Sequence, residues 1–241
     1  MTGTKKTLSV SKAATLCGVG RTTVGYWIRS KKLHAHRVGR NYSILVEDLL
    51  FFLKNSDQKI PPELLRENPN GLIFKSFQNC WQYWQGSEHG GRCHNCIVLK
   101  NQLQACFTLN DNESVECSDC ATCTYYTQTI FPRIQFVHQI GMPAAILKNL
   151  YLWGGNSLCA ELCGVRQRDL IGMGIEKLVH ASSLAKVIEK VRQMALGEPM
   201  VGSSCRITVN NRGKEAQAIH VWVYPIIEPV RTFLVLGNTD I

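Results

Sequence analysis

Seven of the eleven cysteines in this chain fall between Cys80 and Cys123, spaced C-x12-C-x2-C-x9-C-x10-C-x2-C-x2-C. Thiolates are soft ligands, and two of them on one tight C-x2-C turn can hold the same ion. Cys93/Cys96 and Cys117/Cys120 make two such pairs, separated by 20 residues, an ordinary spacing for a tetrahedral zinc site. Zinc is the expected metal, with those four thiols as first ligands and Cys80, Cys106 and Cys123 serving a second site or a cluster. The run Cys117, Cys120, Cys123 equally suits three corners of an iron–sulfur cube whose fourth ligand is a distant cysteine. A third alternative is unmetallated thiols. Seven cysteines plus His89 or His94 would fill two zinc sites, although both histidines read more simply as exposed loop residues. The segment has few aliphatic side chains and little core of its own, so ligation would fold it. A purely structural role is as well founded as redox sensing.

Charge separates this segment from its flanks. Residues 1–59 carry 11 Lys/Arg against 3 Asp/Glu, residues 60–130 carry 4 against 7, and residues 131–241 carry 12 against 8. Three units follow: 1–59, 60–130 and 131–241, with breaks near 56–62 (SDQKIPP) and 130–132. A compact segment as basic as the first is the electrostatic footprint of a polyanion binder, with double-stranded DNA the expected partner.

The pattern within 1–59 supplies the elements. Ser9 is a helix N-cap, Ala13, Ala14 and Leu16 give a first helix its apolar face, and Gly18 fits a tight turn after it. A second helix over 21–30 turns Val24, Trp27 and Ile28 inward. Its other face presents Arg21, Thr22, Thr23, Tyr26 and Arg29. Helix, glycine turn, helix is the plan in which the second helix reads base edges. Two short strands around Gly39 form a wing whose tip, with Arg37, Arg40 and Asn41, meets phosphate or the minor groove. An amphipathic helix over 46–53 closes the unit. The residues SKAATLCGVGRTTVGYWIRSKKLHAHRVGRNYSI followed by VEDLLFFL resemble the excisionase and MerR-type DNA-binding families, which implies a winged helix-turn-helix. In the cysteine segment, CWQYW, RCHNC and CSDCATCTYY resemble cysteine-rich CW-type modules that stand beside PAS domains in bacterial sensors.

The last unit opens with FPRIQFVHQI, apolar at Phe131, Ile134, Val137 and Ile140, a stripe suited to a connector or dimer helix. Strands are expected over 144–147 and 151–153, short helices over 156–163 and 168–170, and a longer helix over 183–196. That helix has Leu184, Val187, Ile188, Val191 and Met194 on one side. Strands over 204–209, 217–225 and 232–237 follow, with a hairpin turn at 210–213 (NNRG). MPAAILKN, Asn156, CGVRQRDLIGM and the final three strands resemble a PAS domain. The resemblance implies an antiparallel five-stranded sheet cupping a pocket for haem, flavin or a small metabolite, or a domain that only dimerises. His180 stands where a haem ligand would lie but reads as a surface residue; Cys159 and Cys163 read as small buried cysteines, with a thiol switch as the alternative.

The expected fold class is α+β multidomain: an N-terminal winged helix-turn-helix, a small Cys-rich metal module and a C-terminal PAS-like antiparallel sheet with helices. No stretch of about 18 apolar residues is present, so no membrane partner is expected. The polar, basic start lacks an apolar signal segment, which points to the cytoplasm. No Gly-rich phosphate loop with Lys, HExxH or GxSxG occurs, and no enzyme is expected. The favoured function is a homodimeric transcription regulator that responds to a small-molecule ligand of the PAS-like domain or to its metal centre. An architectural, excisionase-like DNA protein and a signalling adaptor whose helix-turn-helix binds protein are the alternatives.

Overall fold

The computed structural model describes residues 6–56, 58–67, 78–87, 96–101, 103–108, 120–195, 203–212, 214–226 and 232–238. The first unit runs β1 (Thr7–Ser9), α1 (Val10–Cys17), α2 (Arg21–Arg29), β2 (His36–Val38), β3 (Asn41–Leu45) and α3 (Val46–Lys54). Ser9 caps α1 by accepting the Lys12 N–H at 3.2 Å, and Gly18 ends it in the left-handed conformation, φ 64°. Three antiparallel strands in the order β1-β3-β2 flank the helices. β1 was not expected; three residues carry too little alternation to announce a strand. Val24, Trp27, Leu33, Ile44, Leu49, Leu50 and Leu53 fill the core, and Trp27 meets Phe52 with ring centroids 4.8 Å apart.

The break near 56–62 is a docked segment. Ile60 pairs in parallel with Ile140, donating to the Gln139 carbonyl at 3.0 Å, while the Gln139 amide donates to the Ser56 carbonyl at 2.9 Å. Helix α4 (Pro62–Glu67) then buries Leu64 and Leu65.

The stripe at 131–140 is not on a uniform α-helix. A π-helical stretch (Tyr126–Ile130), one α-turn (Phe131–Ile134) and a 3-10 stretch (Gln135–Gln139) succeed one another. Its apolar side is covered within the chain: Ile134, Val137 and Ile140 are at most 3 % exposed, and Phe131 alone of the stripe stands out, at 39 %. The expected dimer contact through this stripe is therefore corrected. The stripe packs between its own winged unit and its own C-terminal sheet, where Lys54 Nζ sits 5.6 Å from the Phe136 ring centroid and Tyr126 Oη donates to the Trp153 carbonyl at 2.7 Å.

The C-terminal sheet is antiparallel, in the order β5 (Tyr151–Gly155), β4 (Ala144–Lys148), β8 (Thr232–Asn238), β7 (Lys214–Ile226), β6 (Ser203–Asn211). Between β5 and β6 lie α5 (Ser157–Cys163), a 3-10 turn (Gln167–Leu170), a short helix (Ile175–Leu178) and α6 (Ala181–Ala195). Two leading strands, helices, then three strands that return the chain to the side of the first make the PAS-like arrangement. The fold is α+β, an N-terminal helix-turn-helix joined to a PAS-like sheet. On α6, Leu184 and Val187 are half-buried and Val191 buried, but Ile188 is 39 % exposed, a correction to the expected apolar face; the Met194 side chain lies outside the described residues. The expected turn over 210–213 is shorter than that: Asn210 and Asn211 belong to β6, Asn211 pairs with Lys214, and Gly213 lies outside the described residues. No described helix is long and apolar enough to cross a membrane.

Candidate nucleic-acid interface and the sites behind it

Helix α2 buries Val24 and Trp27 and half-buries Ile28, which fixes its rotation about its own axis. Arg21, Thr22, Tyr26 and Arg29 are consequently exposed and Thr23 half-exposed, as a reading helix requires. The Arg29 guanidinium folds back over Gly25, where a Cβ would sit 3.1 Å from Nη1. Tyr26 is 54 % exposed, and Lys32 Nζ sits 5.7 Å from its ring centroid. The wing closes with Val38 opposite Asn41, and Gly39 takes φ 62°, the positive value that a two-residue hairpin turn demands. Arg37 Nε donates to the Gly39 carbonyl at 3.3 Å, which braces the tip. Arg37, Arg40 and Asn41 are all exposed, beside the exposed apolar faces of Val38 and Tyr42.

In the cysteine segment the structure places Cys80, Cys96, Cys106, Cys120 and Cys123; Cys93, Cys117, His89 and His94 lie outside the described residues. The Cys80 N–H donates to the Gln104 carbonyl at 3.0 Å, so the turn Cys80–Tyr83 lies against the strand of chain leading to Cys106. Tyr125 is the hub. Its hydroxyl donates to the Gln78 carbonyl at 2.5 Å and lies 3.4 Å from that of Gln104. Burial pushes its phenol well above the ordinary tyrosine range, and the charges of Cys80, Cys106 and Cys123 push it further while Arg133 opposes them. Cys120 does the same, after burial, to Tyr126. Cys80, Cys106 and Cys123 thus lie near enough to Tyr125, and Cys120 to Tyr126, for their charges to be felt there. Cys120 belongs to the expected first ligand set, and Cys80, Cys106 and Cys123 to the second. Cys96 stands at the start of a separate turn, Ile97–Lys100. Phe107 fastens the segment to the sheet: its ring meets Trp153 at 5.1 Å, and Gly172, at φ 78°, passes so close that a Cβ would lie 2.5 Å from the Phe107 carbonyl oxygen.

The PAS-like sheet and its helices form a half-open cavity of about 100 Å³ whose walls include Leu147, Leu152, Cys163, Ile207, Ile219 and Val221. A dry cavity of about 150 Å³ holds benzene, so the present one has the scale of a small apolar molecule rather than of haem or flavin. His180 is exposed, with Nδ1 2.9 Å from Ser182 Oγ, and it is not among the cavity walls. Cys159 and Cys163 line the cavity and share a thiol–thiol hydrogen bond that raises the first and lowers the second.

Two features escaped the sequence reading. Lys148 is buried at the end of β4, with Nζ 4.8 Å from the Trp153 ring centroid and bonded to the Gln104 side chain; burial lowers its pKa to about 8. His34, His36 and Asp48 meet at the root of the wing. Neither has a local sequence signal, since each depends on tertiary neighbours.

Residues 7–56 match the profile of a helix-turn-helix domain family, and that span coincides with the winged unit. The fold and this site define a helix-turn-helix DNA-binding unit carried with a PAS-like sheet. No curated protein is recognisably similar to the chain. Similar solved structures include the PAS domain, in complex with ethanol, of a LuxR-family transcriptional regulator from Burkholderia thailandensis, with 14 % identity, 44 % of this chain and 95 % of that one covered, and TM-score 0.37. A PAS domain from Desulfitobacterium hafniense shares 13 % identity over 43 % of this chain and 95 % of its own, TM-score 0.36. A domain of a sensory box sensor histidine kinase/response regulator from Geobacter sulfurreducens shares 11 % over 40 % and 82 %, TM-score 0.35. The strand order, not these similarities, carries the description of the sheet.

Proposed function

We propose that this protein is a non-catalytic transcription regulator that binds double-stranded DNA through α2 and the wing and answers to a signal received by the PAS-like sheet or the cysteine segment. The observation that carries the reading is the exposed set Arg21, Thr22, Tyr26 and Arg29 on a helix whose opposite face is locked into the core. The docked connector supplies the route: Phe136 touches Lys54 of the winged unit, and Tyr126 bonds to β5 of the sheet. A rearrangement around the cavity would reach the winged unit through the sheet, whose other face carries Trp153 and the connector. A single winged domain buries a modest DNA surface, so two copies reading two half-sites are expected, and light scattering of the full chain with and without operator DNA checks this. Selection of bound fragments from a random DNA pool, followed by reporter transcription with and without the protein, tests the function as a whole. Failure to enrich any sequence overturns it.

Wing contacts should be phosphate contacts. Replacing Arg37 or Arg40 by alanine is expected to weaken binding to all sequences alike and to flatten the salt slope by about one unit. Gel-shift titrations at several salt concentrations read this; a loss confined to one sequence would mean base reading instead.

The thiols of this segment are soft ligands suited by type to zinc or to an iron–sulfur cluster, whose thiolates stand further apart than those on one ion. Among the described residues no three of these sulfurs lie within 4.8 Å of one another. Cys123→Ser is expected to lower metal content and open the segment to protease, because ligation supplies the folding energy that a small core lacks. Elemental analysis and a visible spectrum of protein purified without oxygen check this and separate zinc from iron–sulfur. Full metal content in the variant would remove Cys123 from the ligand set.

A further inference from the structure

The winged unit holds a donor set of a different kind, built from nitrogen and oxygen. After α2 the chain is extended, and Leu33 and Ala35 turn inward while His34 and His36 turn to solvent, as period-two alternation dictates. Their rings meet edge to face with centroids 4.8 Å apart. Asp48, in the first turn of α3, brings Oδ2 to 3.0 Å from His34 Nδ1. One ligand atom from each of the three lies within 4.8 Å of the other two, and among the described residues this is the one such group of histidine, cysteine, aspartate or glutamate.

We propose that His34, His36 and Asp48 bind a divalent transition-metal ion of the zinc or nickel type, at the root of the wing. Two imidazoles and one carboxylate with an open position form the donor set of three-ligand zinc sites, water taking the fourth place. Metal–ligand bonds of about 2.0–2.2 Å at tetrahedral angles put neighbouring donors roughly 3.3–3.5 Å apart. The His34–Asp48 edge is 3.0 Å, so ligation opens that edge slightly at the loss of one hydrogen bond, while the edges to His36 lie within 4.8 Å and close by a side-chain adjustment. The His34 side chain is 67 % exposed and that of Asp48 28 %, so the ion enters without disturbing the core. Magnesium and calcium prefer all-oxygen shells and are not served here. The three ligands come from the exit of α2, the first residue of β2 and the first turn of α3. A bound ion would therefore tie the reading helix, the wing and the closing helix together, and place a net positive charge beside the basic wing.

The test uses the full chain with its cysteine segment intact, first equilibrated with a weak chelator and then titrated with zinc. Wild type is expected to take up one equivalent more than His34→Ala and His36→Ala, with Asp48→Asn intermediate in affinity. The two histidine side chains are exposed and that of Asp48 is half-buried, and unchanged melting curves certify the fold. In parallel, substoichiometric nickel should broaden the imidazole resonances of His34 and His36 in wild type ahead of those of His180 and His220. Equal zinc uptake by wild type and both histidine variants, or broadening that does not favour His34 and His36, overturns the site. Because nitrogen and oxygen donors give cobalt no thiolate charge-transfer band, cobalt uptake distinguishes this site from the cysteines.

Discussion

Asn156→Ala is expected to lower the stability of the C-terminal unit by about 3–5 kcal/mol, since it removes a helix cap and also orphans buried backbone groups. Asn156 is 3 % exposed and uses both ends of its amide. Oδ1 accepts from the Ala144 N–H at 3.1 Å and the Cys159 N–H at 2.9 Å, joining the first strand to the start of α5. Nδ2 donates to the carbonyls of Ile140 at 3.0 Å and Met142 at 2.7 Å, with that of Val137 at 3.4 Å, which fastens the connector to the same point. Alanine keeps none of this and leaves a cavity too shielded for easy hydration. For a chain of this size the loss corresponds to a melting-temperature drop of roughly 10 °C. Asn156→Asp retains the two acceptor bonds but faces a carboxylate toward carbonyl oxygens. Its folded pKa should therefore be raised. Stability of that variant is then greatest below the ordinary aspartate range and is lost as pH rises through the raised value. Thermal unfolding at several pH values reads both effects. A loss under about 1 kcal/mol for the alanine variant would mean that water replaces the amide.

Where sequence and structure agree, the signal is local and repeated. Ser9, Gly18 and the Val24–Trp27–Ile28 spacing define α1, its turn and the face of α2, because capping and helical period act within a few residues. The order of strands and helices after residue 143 is legible for the same reason. The stripe at Ile134, Val137 and Ile140 marks what is apolar but not what covers it. An interface with a second copy and a dock on the same chain have identical periodicity. Ile188 illustrates the same limit on α6: it belongs to the apolar set by type, yet the short helix Ile175–Leu178 and β6 meet the other flank of that helix. Among the cysteines, spacing marks the pairs within one turn, while the approach of Cys80, Cys106 and Cys123 to Tyr125 depends on tertiary packing that no local spacing encodes. His34 and Asp48 stand 14 residues apart and meet only because β3 returns the chain.

Arg21→Ala and Arg29→Ala are each expected to cost about 1–3 kcal/mol of DNA affinity, roughly 5- to 150-fold, if the side chain reads a base. The two residues open and close α2, eight positions apart, which at 1.5 Å per residue is about 12 Å along the helix axis. That separation predicts nearly additive losses in the double variant. They should differ in kind. Arg21 stands at the N-terminal end, which in this plan reaches the base edges, so its loss should be largest on the preferred sequence and relax selectivity at one position. Arg29, folded over Gly25 at the C-terminal end of α2, should act on a phosphate. Its loss should be uniform across sequences and reduce the salt slope by about one unit. Gly25→Ala sharpens the distinction. A methyl group 3.1 Å from Nη1 shifts the Arg29 guanidinium by only a few tenths of an ångström, so this variant should touch at most the Arg29 contact and leave the selectivity due to Arg21 intact. Titrations of the full chain on preferred and scrambled duplexes at fixed salt decide the matter. Unchanged affinity in both arginine variants would remove α2 as the reading element and leave the wing as the main contact.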